Sequence, residues 1–290
     1  HETNRLFPSL VFAVSRYPIH RVHLVHGRYS GYAVHAVSGS MSEPRSPYRI
    51  ARRRVAIDGS NRRRLYLFRH GAVDYLDEND VLVEDPDRVC LNARGRSQAN
   101  AMAEWFVDVH IDKAACTGLP RTRETGLTIL ADRELELEVI PEFEEIRPMK
   151  GEAPGGYDIV TDVAFSHWRA EQDDAVFLGG ERYRDFYERI SAAMDALIGD
   201  TSWHDFALFA HGGTNAAVLG WTTGVGLQAF GLLDQSTCCL NVIDFDFDDE
   251  GRLLRKTVRG MNITADDPVM RTREAGDMEL LARRLLNGSI

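Results

Sequence analysis

Arg64-Leu65-Tyr66-Leu67-Phe68-Arg69-His70-Gly71 is a four-residue apolar run behind a basic cluster, stopped by an arginine, a histidine and a glycine. So short a run suits a buried strand and is too short for a helix by itself. Its last positions put two cationic or hydrogen-bonding side chains at the strand's carboxyl end. That is the edge where open α/β sheets bind ligands. Gly71 lets the chain turn sharply there and lets an anion approach the main-chain amides.

The same device occurs again downstream, where the apolar stretch Phe206–Ala210 runs into His211-Gly212-Gly213. Between the two, Lys113–Cys116 reads as a short strand, Arg121–Leu130 as a helix and Leu135–Ile140 as a third strand. Asn92 is a good N-cap for a helix that carries Ala99, Met102, Ala103 and Phe106 at helical spacing. Ala72–Val89 is a polar, acidic loop. Residues 146–180 break the rhythm with Pro148, Gly151, Pro154, Gly155 and Gly156 and with the aromatics Phe165 and Trp168, and read as an inserted flap or cap. Glu181–Ile198 and Asn215–Trp221 are helical. Thr237–Phe247 and Leu253–Val258 make a hairpin, and Glu274–Leu286 is an amphipathic tail able to dock back on the domain. Repeated β-α alternation predicts a layered α/β domain around a largely parallel sheet.

The 290 residues suffice for one large domain or two modest ones. No apolar run approaches the ~18 residues of a membrane span. Four cysteines, two of them adjacent (Cys238, Cys239), do not form a disulfide framework and point to a reducing, cytoplasmic setting. Residues 1–64 hold twelve arginines against three acids, a net +9, while residues 65–290 hold 22 basic and 41 acidic residues, a net −19. So acidic a body excludes broad nucleic-acid binding. Residues 1–63 read as a solvated leader, tag or N-terminal extension, with Met41 a candidate start. His23, His26 and His35 lie in it without the acid or cysteine that would complete a metal site. The catalytic domain is expected over 64–262 and a helical tail over 263–290. The hairpin's outer edge can pair with a second copy, giving a homodimer.

Two strand-end histidines, Arg69, and Arg121 at a helix start would form a compact cationic pocket. That pocket suits a dianionic phosphoryl group, whose oxygens arginine binds in bidentate fashion. No HExxH or paired-carboxylate motif calls for a metal, and no cofactor is implied.

Arg69-His70-Gly71 resembles the signature of the histidine phosphatase superfamily, the phosphoglycerate mutase-like family. So do Leu91-Asn92-x-x-Gly95-x-x-Gln98-Ala99, Arg121-x-x-x-Thr125, Phe143-Glu144-Glu145-Ile146, Gly179-Gly180-Glu181 with Arg189, and Phe209-Ala210-His211-Gly212-Gly213, in the family's order. The resemblance implies a three-layer αβα sandwich. It also implies an acid-type, metal-independent phosphomonoesterase acting on a small phosphorylated metabolite. His70 would attack phosphorus to give a phosphohistidine. Arg69, Arg121, His211 and Gly212 would hold the phosphoryl oxygens. A glutamate would protonate the leaving group. Glu142, Glu144 and Glu145 all lie within reach of that role, and the place before Ile146 favours Glu145. Asn92, Arg147 and Lys150 are candidate pocket residues, Asn92 being also a helix cap.

Three rivals are weighed. Cys90 and Arg96 fit the spacing of cysteine-dependent phosphatases, but Glu84-Asp85-Pro86-Asp87 cannot be the buried strand that such a loop follows. A phosphoglycerate mutase resembles this chain too. However, Ala72-Val73-Asp74-Tyr75 stands where mutases carry their extended motif, and Gln98 looks like the phosphatase branch. The third is a phosphate-binding relative with weak catalysis.

Overall fold

A computed structural model describes residues 61–79, 81–131, 133–149, 159–270 and 276–288. In chain order the elements are β1 (Arg62–Arg69), α1 (Ala93–Phe106), β2 (Lys113–Cys116), α2 (Pro120–Ile129), β3 (Leu137–Val139), α3 (Ile159–Ala164), α4 (Tyr183–Gly199), β4 (Asp205–Ala210), α5 (Gly212–Thr223), α6 (Ala229–Leu232), β5 (Leu240–Phe247), β6 (Leu253–Ile263) and α7 (Asp277–Gly288). The strands form one sheet in the order β3-β2-β4-β1-β5-β6. The first four are mutually parallel, and β5 and β6 run antiparallel.

Period-2 alternation along the strands builds two cores, one on each face. Leu65 and Leu67 of β1, Phe206, Leu208 and Ala210 of β4, and Ile243 and Phe245 of β5 face α4 and α5. Phe68, Ala207, Phe209, Ala114 and Cys116 face Ala99, Met102 and Phe106 of α1 and Ile129 of α2. Phe68 and Phe209, paired in register, stack at 4.8 Å. Each such side chain, fully removed from water, contributes roughly 1.5–3 kcal/mol. The result is a three-layer αβα sandwich with β1 and β4 at its centre.

The first strand starts earlier than the basic cluster suggests. Arg62 and Arg63, assigned from sequence to the extension, lie within β1. Arg62 and Arg64 stand directly opposite Asp246 and Asp244 of β5. Their Nε atoms donate to these carboxylates at 2.7 Å, and Arg259 of β6 adds a further 2.7 Å bond to Asp244. Arg63 points to the other face. It lies over the rings of Trp203 and Phe247 and donates to the carbonyls of Ile198 (2.6 Å) and Asp200 at the carboxyl end of α4. Cross-strand charge pairing and a helix C-cap thus make three arginines good strand residues.

Other boundaries move for local reasons. β5 begins at Leu240 rather than Thr237, because Cys238 adopts a positive φ of 57°. Helix α5 begins at Gly212, three residues before the expected start, and ends at Gly224 in the left-handed conformation. The expected hairpin is present, turning at Gly251 (φ 78°), and β6 continues to Ile263. In the flap, residues 150–158 lie outside the described residues, Lys150 among them. The rest forms α3 and a 3₁₀ turn at Ser166–Arg169. The tail helix α7 packs against α3. The proposed leader up to residue 60, with His23, His26 and His35, lies outside the described residues. Among the described residues no helix is long and apolar enough to cross a membrane.

The Asp244 side chain is wholly buried and bonded to two arginines that remain partly hydrated. Burial works against its charge, but the hydrogen bonds from Arg64 and Arg259 win and hold the carboxyl below the usual carboxylate range. Its stabilising contribution is therefore complete above the unfolded value of about 4 and is lost as pH falls through the lower folded value. Asp244→Asn is expected to cost about 2 kcal/mol at pH 7. Urea melts at pH 7 and pH 3 test this: the gap between wild type and variant should shrink at the lower pH.

Candidate active site

β1 and β4 are parallel, and Arg69 lies opposite Ala210, so the residues after them leave the sheet side by side. His70 N–H donates to the Ala210 carbonyl at 3.0 Å, and the His70 carbonyl accepts from Cys238 N–H at 2.9 Å. The turn that follows is tight because two glycines meet: a Cβ on Gly71 would sit 2.6 Å from the Gly95 carbonyl oxygen. Gly71 N–H donates to Thr125 Oγ1 at 3.1 Å, and Gln98 Oε1 accepts from Ala72 N–H at 3.0 Å, so α1 and α2 both hold the turn.

His70 is buried, and its Nδ1 lies 2.8 Å from its neighbour's carbonyl, Gly71 O. A carbonyl only accepts, so Nδ1 carries the proton and Nε2 presents a lone pair. Desolvation, then the charges of Arg69 and Arg121, push this imidazole well below the usual histidine range. It is neutral at physiological pH, which a nitrogen nucleophile requires.

His211 is fully buried, its ring centroid 5.3 Å from that of His70 at an interplanar angle of 69°. Its Nε2 lies 2.9 Å from Thr117 Oγ1, which lies 3.0 Å from Thr122 Oγ1. Thr122 spends its one proton on the Leu119 carbonyl at 2.9 Å. Thr117 must therefore donate to Thr122 and accept from His211 Nε2–H. That leaves His211 Nδ1 buried and without a hydrogen-bond partner among the described residues. Arg121, in the first turn of α2, is buried as well. One Nη donates to the Pro86 carbonyl at 3.0 Å, and its Nε also lacks a partner among the described residues. Arg69 donates to the Gln235 carbonyl. Buried groups left open in this way mark a site for an anion.

Glu145 closes the other side. Its carboxylate takes Gly213 N–H at 3.0 Å, Thr214 N–H at 3.2 Å and Ile146 N–H at 3.0 Å, so it occupies the first turn of α5. Desolvation nevertheless raises its carboxyl above the usual range, opposed by those amides and by Arg69 and Arg121. Glu144 instead pairs with exposed Arg147 at 3.1 Å, and Glu142 is exposed. Of the three glutamates considered from sequence, Glu145 is the one whose carboxylate is held by the first amides of α5, just after His211.

Several sequence candidates have further partners in the fold. Asn92 Oδ1 caps α1 through Gly95 N–H at 2.9 Å, and its Nδ2 donates to Asp74 at 3.0 Å, so the side chain is committed to the helix start. Arg147 turns outward to Glu144. Gly212 packs on Arg69, where a Cβ would lie 3.3 Å from Nε. Cys90 is exposed, and its hydrogen bond with Glu124 raises the thiol's pKa, opposite to what a thiolate nucleophile needs. Thr117, Thr122 and Gln235 were not singled out from sequence. They carry no periodic or charge signal; only contacts across the fold reveal them.

The family model described as the histidine phosphatase superfamily (branch 1) matches residues 65–258. An adenosylcobalamin/alpha-ribazole phosphatase of Escherichia coli (strain K12) is 25% identical over 185 residues, 63% of this chain and 90% of that protein. A probable 2-carboxy-D-arabinitol-1-phosphatase of Arabidopsis thaliana is 24% identical over 215 residues, 71% of this chain but only 43% of that protein. The solved structure of a mycobacterial glucosyl-3-phosphoglycerate phosphatase superposes with a TM-score of 0.56 at 20% identity, covering 69% of this chain and 99% of that one, a likeness of fold. With that family model matched from β1 into β6 and its two strand-end histidines side by side, the chain belongs to the histidine phosphatase superfamily, branch 1.

Proposed function

We propose that this protein is a metal-independent, acid-type phosphomonoesterase that works through a phosphohistidine on His70. The observation that carries the reading is the neutral His70, its Nε2 lone pair set by the Gly71 carbonyl, enclosed by Arg69, Arg121 and His211. His70 Nε2 attacks phosphorus as the bond to the leaving oxygen breaks, and protonated Glu145 supplies that oxygen with its proton. Arg69 and Arg121 neutralise the equatorial oxygens, and such charge stabilisation is the main source of rate in phosphoryl transfer. His211 gives its Nε2 proton to Thr117, so it can donate to the phosphoryl group only by taking up a second proton at Nδ1. An arriving dianion favours that uptake. Water then attacks the phosphohistidine, the Glu145 carboxylate accepts its proton, and the N–P bond breaks to release phosphate.

The similar proteins are named as phosphatases of α-ribazole, carboxyarabinitol and glucosyl-phosphoglycerate phosphates. They support a small phosphorylated metabolite as the substrate class. All four cysteines are free thiols, in keeping with a reducing compartment.

p-Nitrophenyl phosphate should be hydrolysed, and His70→Ala should lower kcat/KM at least about 10³-fold. A radiolabelled substrate, quenched in alkali, should leave acid-labile label on the wild type. Label persisting on His70→Ala would reject His70 as the acceptor, and hydrolysis absent across a phosphomonoester panel would favour a binding protein.

Glu145 must be protonated to act as acid, and its carboxyl is raised. Activity on poor leaving groups should thus be full on the acid side, extend above the pH expected of an ordinary glutamate, and fall as pH rises through the raised value. Glu145→Gln should flatten that alkaline fall. A Cβ on Gly213 would lie 2.4 Å from Glu145 Oε1, so Gly213→Ala should lower kcat/KM by about 10²-fold through the same acid. An unaltered pH profile in Gly213→Ala would count against that link.

A further inference from the structure

Glu145 sits on chain that has no regular structure to hold it. After the 3₁₀ turn Pro141–Phe143, residues 144–149 belong to neither helix nor strand, so their peptide groups need partners from elsewhere. One side chain meets three carbonyls in and just before this segment. Arg189, in the second turn of α4, directs Nη1 to the carbonyls of Glu142 at 2.8 Å and Glu144 at 3.0 Å, and Nη2 to the Glu145 carbonyl at 3.5 Å. The opposite edge of the same guanidinium rests on Glu181, with Nη2 at 3.2 Å from both carboxylate oxygens and Nε at 3.4 Å from Oε1.

Glu181 also reaches past the site. Its Oε2 accepts Arg147 N–H at 3.0 Å, and its own N–H donates to the Arg147 carbonyl at 2.8 Å. The turn that presents Glu181 lies hard against this segment: a Cβ on Gly180 would sit 2.3 Å from the Arg147 carbonyl oxygen. The Arg189–Glu181 pair therefore grips the main chain on both sides of Glu145, at residues 142–145 before the carboxylate and at residue 147 after it. The Glu145 side chain then extends from a pinned backbone to the amides of α5. A planar fork with several fixed donors suits this task, whereas a lysine ammonium cannot span three carbonyls and a carboxylate at once.

We propose that Arg189, held by Glu181, is a positioning residue for Glu145 that fixes the proton donor against the leaving oxygen. This rests on the reading of Glu145 as the general acid. Misplacing a donor by about 1 Å can cost on the order of 10²-fold. That cost falls on substrates whose leaving group needs the proton.

The test compares kcat/KM of the full chain for two substrates. p-Nitrophenyl phosphate releases a leaving group stable without a proton. Phenyl phosphate releases one with a pKa of about 10, as for a tyrosine phenol. The parameter kcat/KM ends at departure of the leaving group and so excludes the later water step. Glu145→Gln sets the reference: a loss at least about tenfold larger on phenyl phosphate. Arg189→Met and Arg189→Lys should show the same split, smaller in size. Glu181→Ala should share it, and Glu181→Gln, which keeps one of the two acceptor oxygens, should share it to a smaller degree. Glu181 is only partly buried, so its variants keep the inference testable if the Arg189 variants fail to fold. Equal losses on both substrates in the Arg189 and Glu181 variants, with the split intact in Glu145→Gln, would overturn the positioning role alone. A Glu145→Gln variant without the split would overturn the assignment of the acid, and this inference with it.

Discussion

The parallel pairing of β1 with β4 is the constraint on which the rest depends. Its register sets Arg69 against Ala210, so each strand delivers a histidine at its next residue. A shift of one residue would turn one strand's set, Leu65 and Leu67 or Phe206 and Leu208, from one face of the sheet to the other, which the two separate cores forbid. Register at the site is thus enforced by packing some distance away. Both strands lie at the centre of the sheet, flanked on both sides, so the histidines follow directly on backbone that is paired along both edges.

The site gathers groups that would rather be in water. Two guanidiniums and two imidazoles share one enclosed region, and the histidines respond by remaining neutral. The arginines cannot lose their protons, so their charge is offset by carbonyls, Gln235 for Arg69 and Pro86 for Arg121. Behind Arg69 a polar network supports this arrangement: Gln235 Oε1 accepts from Asn241 at 2.7 Å and lies 3.2 Å from the Asn215 amide, and Asn241 Oδ1 takes Asn262 N–H at 3.0 Å. Such a network holds a guanidinium in one place where an apolar wall could not.

The sheet, its order of elements and the principal site residues were legible because each left a local signal. His70 and His211 announce themselves by ending apolar strands, and Arg121 by opening a helix. What escaped was set by distance in sequence. Arg62 and Arg63 looked like part of a basic extension, since Asp246, which Arg62 meets, lies 184 residues on and the carbonyls that Arg63 meets lie 135 and 137 residues on. Asn92 was legible as a cap, while its bond to Asp74, 18 positions earlier, was not. The choice among Glu142, Glu144 and Glu145 needed α5, since only contact with Gly213 and Thr214 distinguishes them. The His211-Gly212-Gly213 motif conceals two different demands. Gly212 makes room for Arg69, while Gly213 makes room for Glu145.

Charge across the whole body remains to be reconciled with an anionic substrate. From residue 65 onward the chain carries a net −19, a field that repels a phosphate dianion at a distance. At physiological salt that field fades within about 8 Å of the surface. Inside the pocket the effective dielectric is lower and Arg69 and Arg121 act at contact range, so the near charges outweigh the far ones. The same asymmetry aids turnover. On the proposed mechanism, breakage of the N–P bond frees phosphate from His70, and beyond contact with the arginines the chain's net negative charge favours its departure. On the proposed function, the chain's net negative charge therefore slows capture of a phosphate ester modestly and leaves its selection to Arg69 and Arg121 at contact range.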